Sequence, residues 1–255
     1  MTLRFASLGS GSRGNAVLVE SDSTLLMVDC GLTLKAVEER LRTLDRDPQD
    51  IKALLVTHEH SDHIKGVPSF VRRHSTPVWM THGTAASAAA QKLTKVHVFN
   101  CDQILNIGSF EVKPFTVPHD AREPVQFVFQ ADCRKLGMLT DTGHITPHIT
   151  KHLANCDALA LECNHDIDTL RNGVYPERLK ARVASSYGHL NNGQVVGLLD
   201  AVGHKDLQWV MALHLSEQNN SFDLVCKALA EKLAKPNQSL HVATQNEPSE
   251  WIEIV

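Results

Sequence analysis

The sequence predicts an α/β chain whose sheet layers are covered on the outside by helices. Three observations predict it. Short apolar runs of strand length alternate with Gly, Pro and Ser punctuation along the whole chain. Segments with helical spacing of apolar residues fall between these runs. No internal repeat or Gly/Ser/Pro-rich linker divides the 255 residues, so one domain over 1–255 is expected, large enough for a substantial core. Hydrophobic residues at 42% lie in the ordinary globular range and exclude a disordered or low-complexity chain.

The elements follow in order. Arg4–Leu8, Ala16–Glu20 and Leu25–Asp29 read as strands, split by turns at Gly9–Gly14 and Ser21–Ser23. Leu34, Val37, Leu41 and Leu44 recur at helical spacing and make Leu34–Leu44 an amphipathic helix. Ala53–Thr57 is a strand of the buried type, Val67–His74 a short helix and Pro77–Met80 a strand. The Ala-rich segment Thr84–Leu93 favours helix. Gln103–Ile107, Phe110–Val117, Val125–Ala131 and Lys135–Thr140 read as consecutive strands, followed by the strand Ala158–Glu162. Pro176–Val183 is helical, and Asn191 or Asn192 caps a helix that runs to about Val202. Leu207–Leu213 is a strand, Phe222–Leu233 a helix capped by Ser221, and Leu240–Ala243 and Trp251–Val255 are closing strands. Leu3, Leu25, Leu55, Val56, Val112, Leu159 and Met211 are assigned to the core, and Trp79 and Trp209 to packing.

Charge and composition narrow the function classes. A net charge of -4 carries no basic surplus and no acidic tail, so a nucleic-acid enzyme would need a local positive surface. No apolar run reaches the roughly 18 residues of a membrane span. Met1-Thr2-Leu3-Arg4-Phe5 opens no apolar signal region, so a cytoplasmic chain without a membrane partner is expected. The six cysteines form no C-x-x-C pair and read as free thiols.

The 15 histidines carry the functional signal. Thr57-His58-Glu59-His60-Ser61-Asp62-His63 directly follows the apolar strand Ala53-Leu54-Leu55-Val56. Imidazole and carboxylate donors together suit zinc, manganese or iron. A loop after a strand turns alternate residues inward, so His58 and His60 can share one ion and Asp62 and His63 a second. Three more candidates sit at strand ends: His119 after Phe115-Thr116-Val117-Pro118, Asp141 after Met138-Leu139-Thr140, and His214 after Val210-Met211-Ala212-Leu213.

This H-x-H-x-D-H motif, with His119, Asp141 and His214, closely resembles the metallo-β-lactamase superfamily over about residues 3–220. Asp29 in Val28-Asp29-Cys30-Gly31 matches its early Asp, which braces the metal loop without being a ligand. The resemblance implies an αββα four-layer sandwich with two divalent ions between the sheets, zinc or manganese, with iron also compatible. It implies that His58, His60 and His119 hold the first ion, that Asp62, His63 and His214 hold the second, and that Asp141 bridges them. Paired ions of this kind hydrolyse esters with a water activated as hydroxide. Asp141 stands where the lactam-cleaving zinc enzymes have Cys, which points to the phosphodiesterase, nuclease and thioesterase branches.

Further segments resemble the YycJ/WalJ-type subfamily. They are Ser7-Leu8-Gly9-Ser10-Gly11-Ser12-Arg13-Gly14-Asn15, Leu161-Glu162-Cys163-Asn164-His165-Asp166, Tyr187-Gly188-His189-Leu190-Asn191-Asn192 and Ala212-Leu213-His214-Leu215-Ser216-Glu217-Gln218-Asn219-Asn220. In RNase Z-like relatives the corresponding Glu and His pair behind the metals, which implies a catalytic Glu162–His189 pair, with His189 protonating the leaving oxygen. Here Cys163-Asn164-His165 departs from their Ala-Thr-aromatic. The subfamily implies 5′-to-3′ exonuclease action on double-stranded DNA, linked to DNA repair, with Asp62 or Asp141 orienting the water. Arg13, Asn15, His165 and Arg182 are the candidate substrate contacts. Arg171, Arg178, Lys180 and Arg182 form a local basic stretch able to track a phosphate backbone.

The competing readings are a small-molecule phosphodiesterase acting on cyclic or nucleotide diesters, a thioesterase, and a partner-binding protein that keeps a metal site for structure. The residues after Asn220 are too few for a thioesterase's substrate domain, and no insertion corresponds to a β-CASP clamp or a tRNA-grasping arm. No motif for an organic cofactor is present.

Overall fold

Alternation along a strand sends successive side chains to opposite faces, and here both faces are apolar. In the first strand Leu3 and Phe5 point one way, Ala6 and Leu8 the other, and all four are buried. A strand buried on both faces must lie between two other layers. The computed structural model describes residues 2–233 and 238–255.

The N-terminal half supplies β1 (Leu3–Gly9), β2 (Ala16–Ser21), β3 (Thr24–Val28), β4 (Ile51–Leu55), β5 (Val78–Thr81) and β6 (Val96–Phe99). The C-terminal half supplies β7 (Leu105–Ile107), β8 (Phe110–Thr116), β9 (Val125–Ala131), β10 (Arg134–Leu139), β11 (Ala158–Glu162), β12 (Trp209–Leu213) and β13 (Ser239–Val242). The last strand, β14 (Ile252–Ile254), returns to pair with β1. The two sheets have the orders β14-β1-β2-β3-β4-β5-β6 and β13-β12-β11-β10-β9-β8-β7. Each is antiparallel at one end and parallel at the other, the change falling at β3 in one sheet and at β10 in the other.

The helices are α1 (Leu34–Thr43), α2 (Ser61–Ile64), α3 (Val67–His74), α4 (His82–Ala85), α5 (Pro147–Leu153), α6 (Ile167–Asn172), α7 (Glu177–Val183), α8 (Asn192–Val202) and α9 (Phe222–Leu229). Val37 and Leu41 of α1 and Phe70 of α3 pack on the outer face of the first sheet. Ile149 of α5, Leu198 of α8 and Val225 of α9 pack on that of the second. Phe5, Val28, Leu55, Phe127, Ala160 and Met211 fill the space between the sheets. The result is the expected αββα sandwich.

All seven residues assigned to the core are buried, and Trp79 and Trp209 pack against the inter-sheet core. Asn191, of the two candidates, is the cap of α8: its side chain accepts from the Gln194 amide, and the Gln194 side chain answers the Asn191 amide. Ser221 caps α9, accepting from Leu224 N. Some boundaries differ. Thr84–Leu93 is not one helix: α4 stops at Ala85, and a separate turn forms at Ala90–Lys92, where the Ser87 hydroxyl takes the Ala90 amide that a helix would use. The helix from Phe222 stops at Leu229 rather than Leu233, and two strands start later than expected, at Leu105 and Trp209. The edge strand β6 escapes the apolar pattern because His97 and Val98 face solvent.

Candidate metal centre

Strand ends in both sheets deliver the polar residues. Asp29 follows β3, His58 and His60 follow β4, His119 follows β8, Asp141 follows β10, Glu162 closes β11 and His214 follows β12. Carboxyl ends of strands in α/β sheets are where side chains converge on a ligand. Three of these residues have left-handed backbone: Asp29 at φ 58°, Asp141 at φ 51° and His214 at φ 56°. Residues other than glycine seldom adopt it, at a cost on the order of 1 kcal/mol each. The chain turns sharply there and leaves each side chain at the seam between the sheets.

Asp62 and His63 lie in α2, a single turn stitched to its surroundings by backbone. Asn15 N donates to Asp62 O at 2.8 Å, Cys30 N to His63 O at 2.8 Å and Gly66 N to Cys30 O at 2.8 Å. Gly31 permits this approach, because a Cβ there would overlap the Asp62 carbonyl. Gly31→Ala is expected to destabilise the fold by about 3 kcal/mol and to weaken metal binding. A urea melt with metal analysis checks this, and an unchanged midpoint would refute the packing argument.

The donors form interlocking groups: His58, His60 and His119; Asp62, His63 and His214; His58, His63 and Asp141; and Asp141, Glu162, His189 and His214, the atoms within each lying within 4.8 Å of one another. His63 Nε2 is 3.2 Å from Asp141 Oδ2 and 3.4 Å from Asp62 Oδ2. His214 Nε2 is 3.4 Å from Asp62 Oδ2, and His119 Nε2 is 3.2 Å from His60 Nδ1.

The outward nitrogens are tied. His63 Nδ1 lies 2.7 Å from Asp29 Oδ2, and Asp29 also accepts from the Thr57 amide and hydroxyl at 2.8 Å each. His58 Nδ1 is 3.0 Å from Thr57 Oγ1, His119 Nδ1 is 3.1 Å from the Gly188 carbonyl and His214 Nδ1 is 3.2 Å from Glu162 Oε1. The inward atoms are not satisfied: His58 Nε2, His214 Nε2 and Asp141 Oδ2 are buried without a hydrogen-bond partner. Buried polar atoms in folded proteins are as a rule paired. Outer nitrogens held and inner ones free is the arrangement that presents imidazoles to a cation, so the donor set fits divalent ions.

The electrostatics agree. Burial works against ionising Asp62, but the imidazoles of His63 and His214 outweigh it and hold the carboxyl far below the usual range. Burial likewise opposes ionisation of Asp141, and His214 and His63 reverse it. Glu162 is lowered to about 2, its burial overcome by His189 and then His214. Burial pushes His58 down, and His63 adds to the effect. Three ionised carboxylates, Asp62, Asp141 and Glu162, thus lie among the imidazoles of His63, His189 and His214.

A cleft of about 380 Å³ opens onto this cluster, lined among others by His60, Asp62, Asp141, His189 and His214. Burial would discharge His189, but Glu162 Oε1, 2.7 Å from its Nδ1, raises its pKa above the ordinary imidazole value. Glu162 also accepts from Leu190 N at 3.0 Å and Thr142 N at 3.2 Å, so His189 rests on a fixed carboxylate. Arg182 lines the cleft and donates from Nε to Asp120 Oδ2 at 2.8 Å.

Three expected substrate contacts are placed differently. Arg13 does not line the cleft: its guanidinium pairs with Glu217 at 2.6 Å and Asn246 at 2.8 Å, and the neighbouring Ser12 takes the lining position. The Asn15 amide is buried between Gly11 and Asp62. His165 is fully buried, its pKa lowered to about 4 by burial, and Asn164 faces the cleft instead. The basic stretch is not one track. Lys180 folds back onto Glu177 and the Arg171 carbonyl, Arg171 approaches Asp168, and Arg178 is exposed.

Sequence reasoning missed Asp120 and the wall of Tyr175, Leu179 and Val183. Asp120 adjoins His119, and its Oδ1 is 3.5 Å from His119 Nε2. No pattern marks Tyr175, and the helix read at Pro176–Val183 carries no signal for a cleft wall, since α7 buries none of its residues.

The model for the beta-lactamase superfamily domain matches residues 24–214. Exodeoxyribonuclease YycJ of Bacillus anthracis is 34% identical over 241 residues, covering 91% of this chain and 90% of that protein. Exodeoxyribonuclease WalJ of Streptococcus pneumoniae is 32% identical over 246 residues, covering 94% and 91%. The crystal structure of the metallo-beta-lactamase fold protein YhfI from Bacillus subtilis aligns with a TM-score of 0.76 at 17% identity, over 97% of this chain and 99% of that one, a likeness of fold. This chain belongs to the metallo-β-lactamase superfamily and, within it, to the YycJ/WalJ type.

Proposed function

We propose that this chain is a metal-dependent phosphodiester hydrolase that holds two divalent ions and shortens double-stranded DNA from its 5′ ends. The observation that carries this reading is the pair of donor triads with Asp141 beside a residue of each, and with His58 Nε2 and His214 Nε2 buried and unpaired. The exodeoxyribonuclease relatives, similar over nine-tenths of the chain, support DNA as substrate.

In this reading His58, His60 and His119 hold one ion, Asp62, His63 and His214 the other, and Asp141 serves both. When bound, the ions supply Lewis acidity toward water and the phosphate. The chain's own residues do the rest. Asp62 and Asp141, both ionised, orient the attacking water. His189, kept protonated by Glu162, donates to the leaving oxygen as the P–O bond breaks. Arg182 contacts a phosphate at the rim. Tyr175, Leu179 and Val183 offer an apolar wall against which a terminal base can stack, and such stacking tolerates any sequence.

The test uses duplex DNA labelled at the 5′ or the 3′ end, with Mn²⁺. Release of labelled mononucleotide from the 5′ end is expected. Tyr175→Ala is expected to raise KM on DNA about tenfold while leaving a small aryl phosphodiester unaffected. The cleft's small volume favours one alternative, a nucleotide or cyclic phosphodiesterase. Hydrolysis of small diesters with intact duplex would select it.

A further inference from the structure

The Gly9–Asn15 turn contributes neither an ion ligand nor a substrate contact in the reading above, yet its Ser10, Gly11, Gly14 and Asn15 are buried beside the metal loop. The geometry points to a clasp, built from Ser10 and Asn15, that positions the Asp62–His63–His214 donors alone and so sets the affinity of the second ion. This assignment rests on the two-ion reading.

The Asn15 amide has one possible orientation. Gly11 N donates to it at 2.8 Å, and a backbone N–H can meet only the oxygen, so Oδ1 faces Gly11. The amide nitrogen therefore faces the donors, 3.3 Å from Asp62 Oδ2 and 3.2 Å from His63 Nε2. On its other side Oδ1 accepts from Ser10 Oγ at 3.2 Å, and the same hydroxyl oxygen accepts from His214 N at 2.8 Å. One hydrogen-bonded chain thus runs from His214, after a strand of the second sheet, through Ser10 and Asn15 to Asp62, after a strand of the first. Backbone bonds close it: Asn15 N donates to Asp62 O and Gly31 N to Asn15 O, both at 2.8 Å.

The clasp is selective. Among the described residues, no hydrogen bond joins Ser10 or Asn15 to His58, His60 or His119. His58 and His119 take their support from Thr57 and the Gly188 carbonyl. An outer partner that fixes a ligating carboxylate is worth about 10–100-fold in metal affinity. Losing Asn15 removes the donor to Asp62, and losing Ser10 removes the link to His214. Either change acts on one ion.

The experiment is titration of the metal-stripped full chain with Co²⁺, followed by calorimetry and by the visible spectrum of the bound ion. The wild type should take two ions. In Asn15→Ala one of the two sites is expected to lose about 10–100-fold in affinity while the other is unchanged. Ser10→Ala, a smaller perturbation of the loop, should shift the same site in the same direction. Asn15→Asp keeps the acceptor for Gly11 and Ser10 but has no donor for Asp62, so it should not restore the site. Equal weakening of both sites, or restoration by Asn15→Asp, would overturn the clasp. A wild type that takes only one ion would overturn the two-ion reading, and this assignment with it.

Discussion

Asp141→Ala is expected to lower diester hydrolysis by about 10³-fold or more, with loss of bound metal and a retained fold. Asp141 reaches both triads: its Oδ2 is 3.2 Å from His63 Nε2, and its Oδ1 is 3.9 Å from His119 Nε2 and 3.2 Å from His214 Nδ1. Other carboxylates near the site do not span the triads in this way: Asp62 faces His63 and His214, and Glu162 faces His189 and His214. Metal content by mass spectrometry and the near-ultraviolet circular dichroism of the variant check the two halves of the expectation. A proton titration of metal-stripped protein adds a readout that ignores activity. Burial alone would lower the pKa of His214, but Asp141, with Asp62 and Glu162, raises it to about 10. Without Asp141 that value must fall. The sign for stability follows. A raised imidazole stabilises the metal-stripped fold below its unfolded pKa near 6.5, and that contribution disappears as pH rises through the folded value. The variant should lose it at lower pH. Full metal content with full activity would exclude Asp141 as the shared ligand.

Glu162→Gln is expected to lower kcat about 10²-fold with little change in KM, and to move the alkaline limb of the kcat profile to lower pH. The glutamine keeps an oxygen for the Leu190 and Thr142 amides, so the loop before α8 stays in place. What disappears is the charge 2.7 Å from His189 Nδ1. Burial opposes the charged imidazole, and Glu162 is the group that overcomes burial. With a neutral partner His189 loses its proton at lower pH, and with it the donor for the leaving oxygen. Because Glu162 also touches His214 Nδ1 at 3.2 Å, metal content must be measured beside the kinetics. An unchanged pH profile at full metal loading would remove His189 from the role of acid.

Much of the donor set was legible because its signals are local. His58, His60, Asp62 and His63 fall within six residues after an apolar strand, and a strand-to-loop transition can be read from a short window. Asp29, His119, Asp141 and His214 each follow such a strand, so the same signal repeated. The covering of sheets by helices was legible for a related reason. Strands apolar on both faces demand cover on both sides, and helices between them supply it.

The contacts around the site were not legible, and Arg13, Asn15 and His165 show why. Each is a polar residue in a loop beside a motif, and nothing nearby in sequence states its partner. Arg13 meets Glu217 and Asn246 across the chain, and once paired there it leaves the cleft. Asn15 finds Asp62, 47 residues away, and is buried as a brace. His165 and His189 look alike in sequence, each a lone histidine near an asparagine. Burial hides the first, and the Glu162 carboxylate holds the second at the cleft wall.

The four-layer αββα order came from the family resemblance, whereas the residues by themselves determined sheets covered by helices, the strand ends that carry donors and the donor types. These follow from the period of apolar residues and from side-chain chemistry, which are properties of neighbouring positions. Only the tertiary structure decided which nitrogen of each imidazole is free and which polar loop residues face the cleft or turn away. Those are relations across the seam between two sheets, set where the side chains that follow or close β3, β4, β8, β10, β11 and β12 converge. A hydrogen bond has a strict reach, and the chain order carries no record of that reach until both sheets are packed.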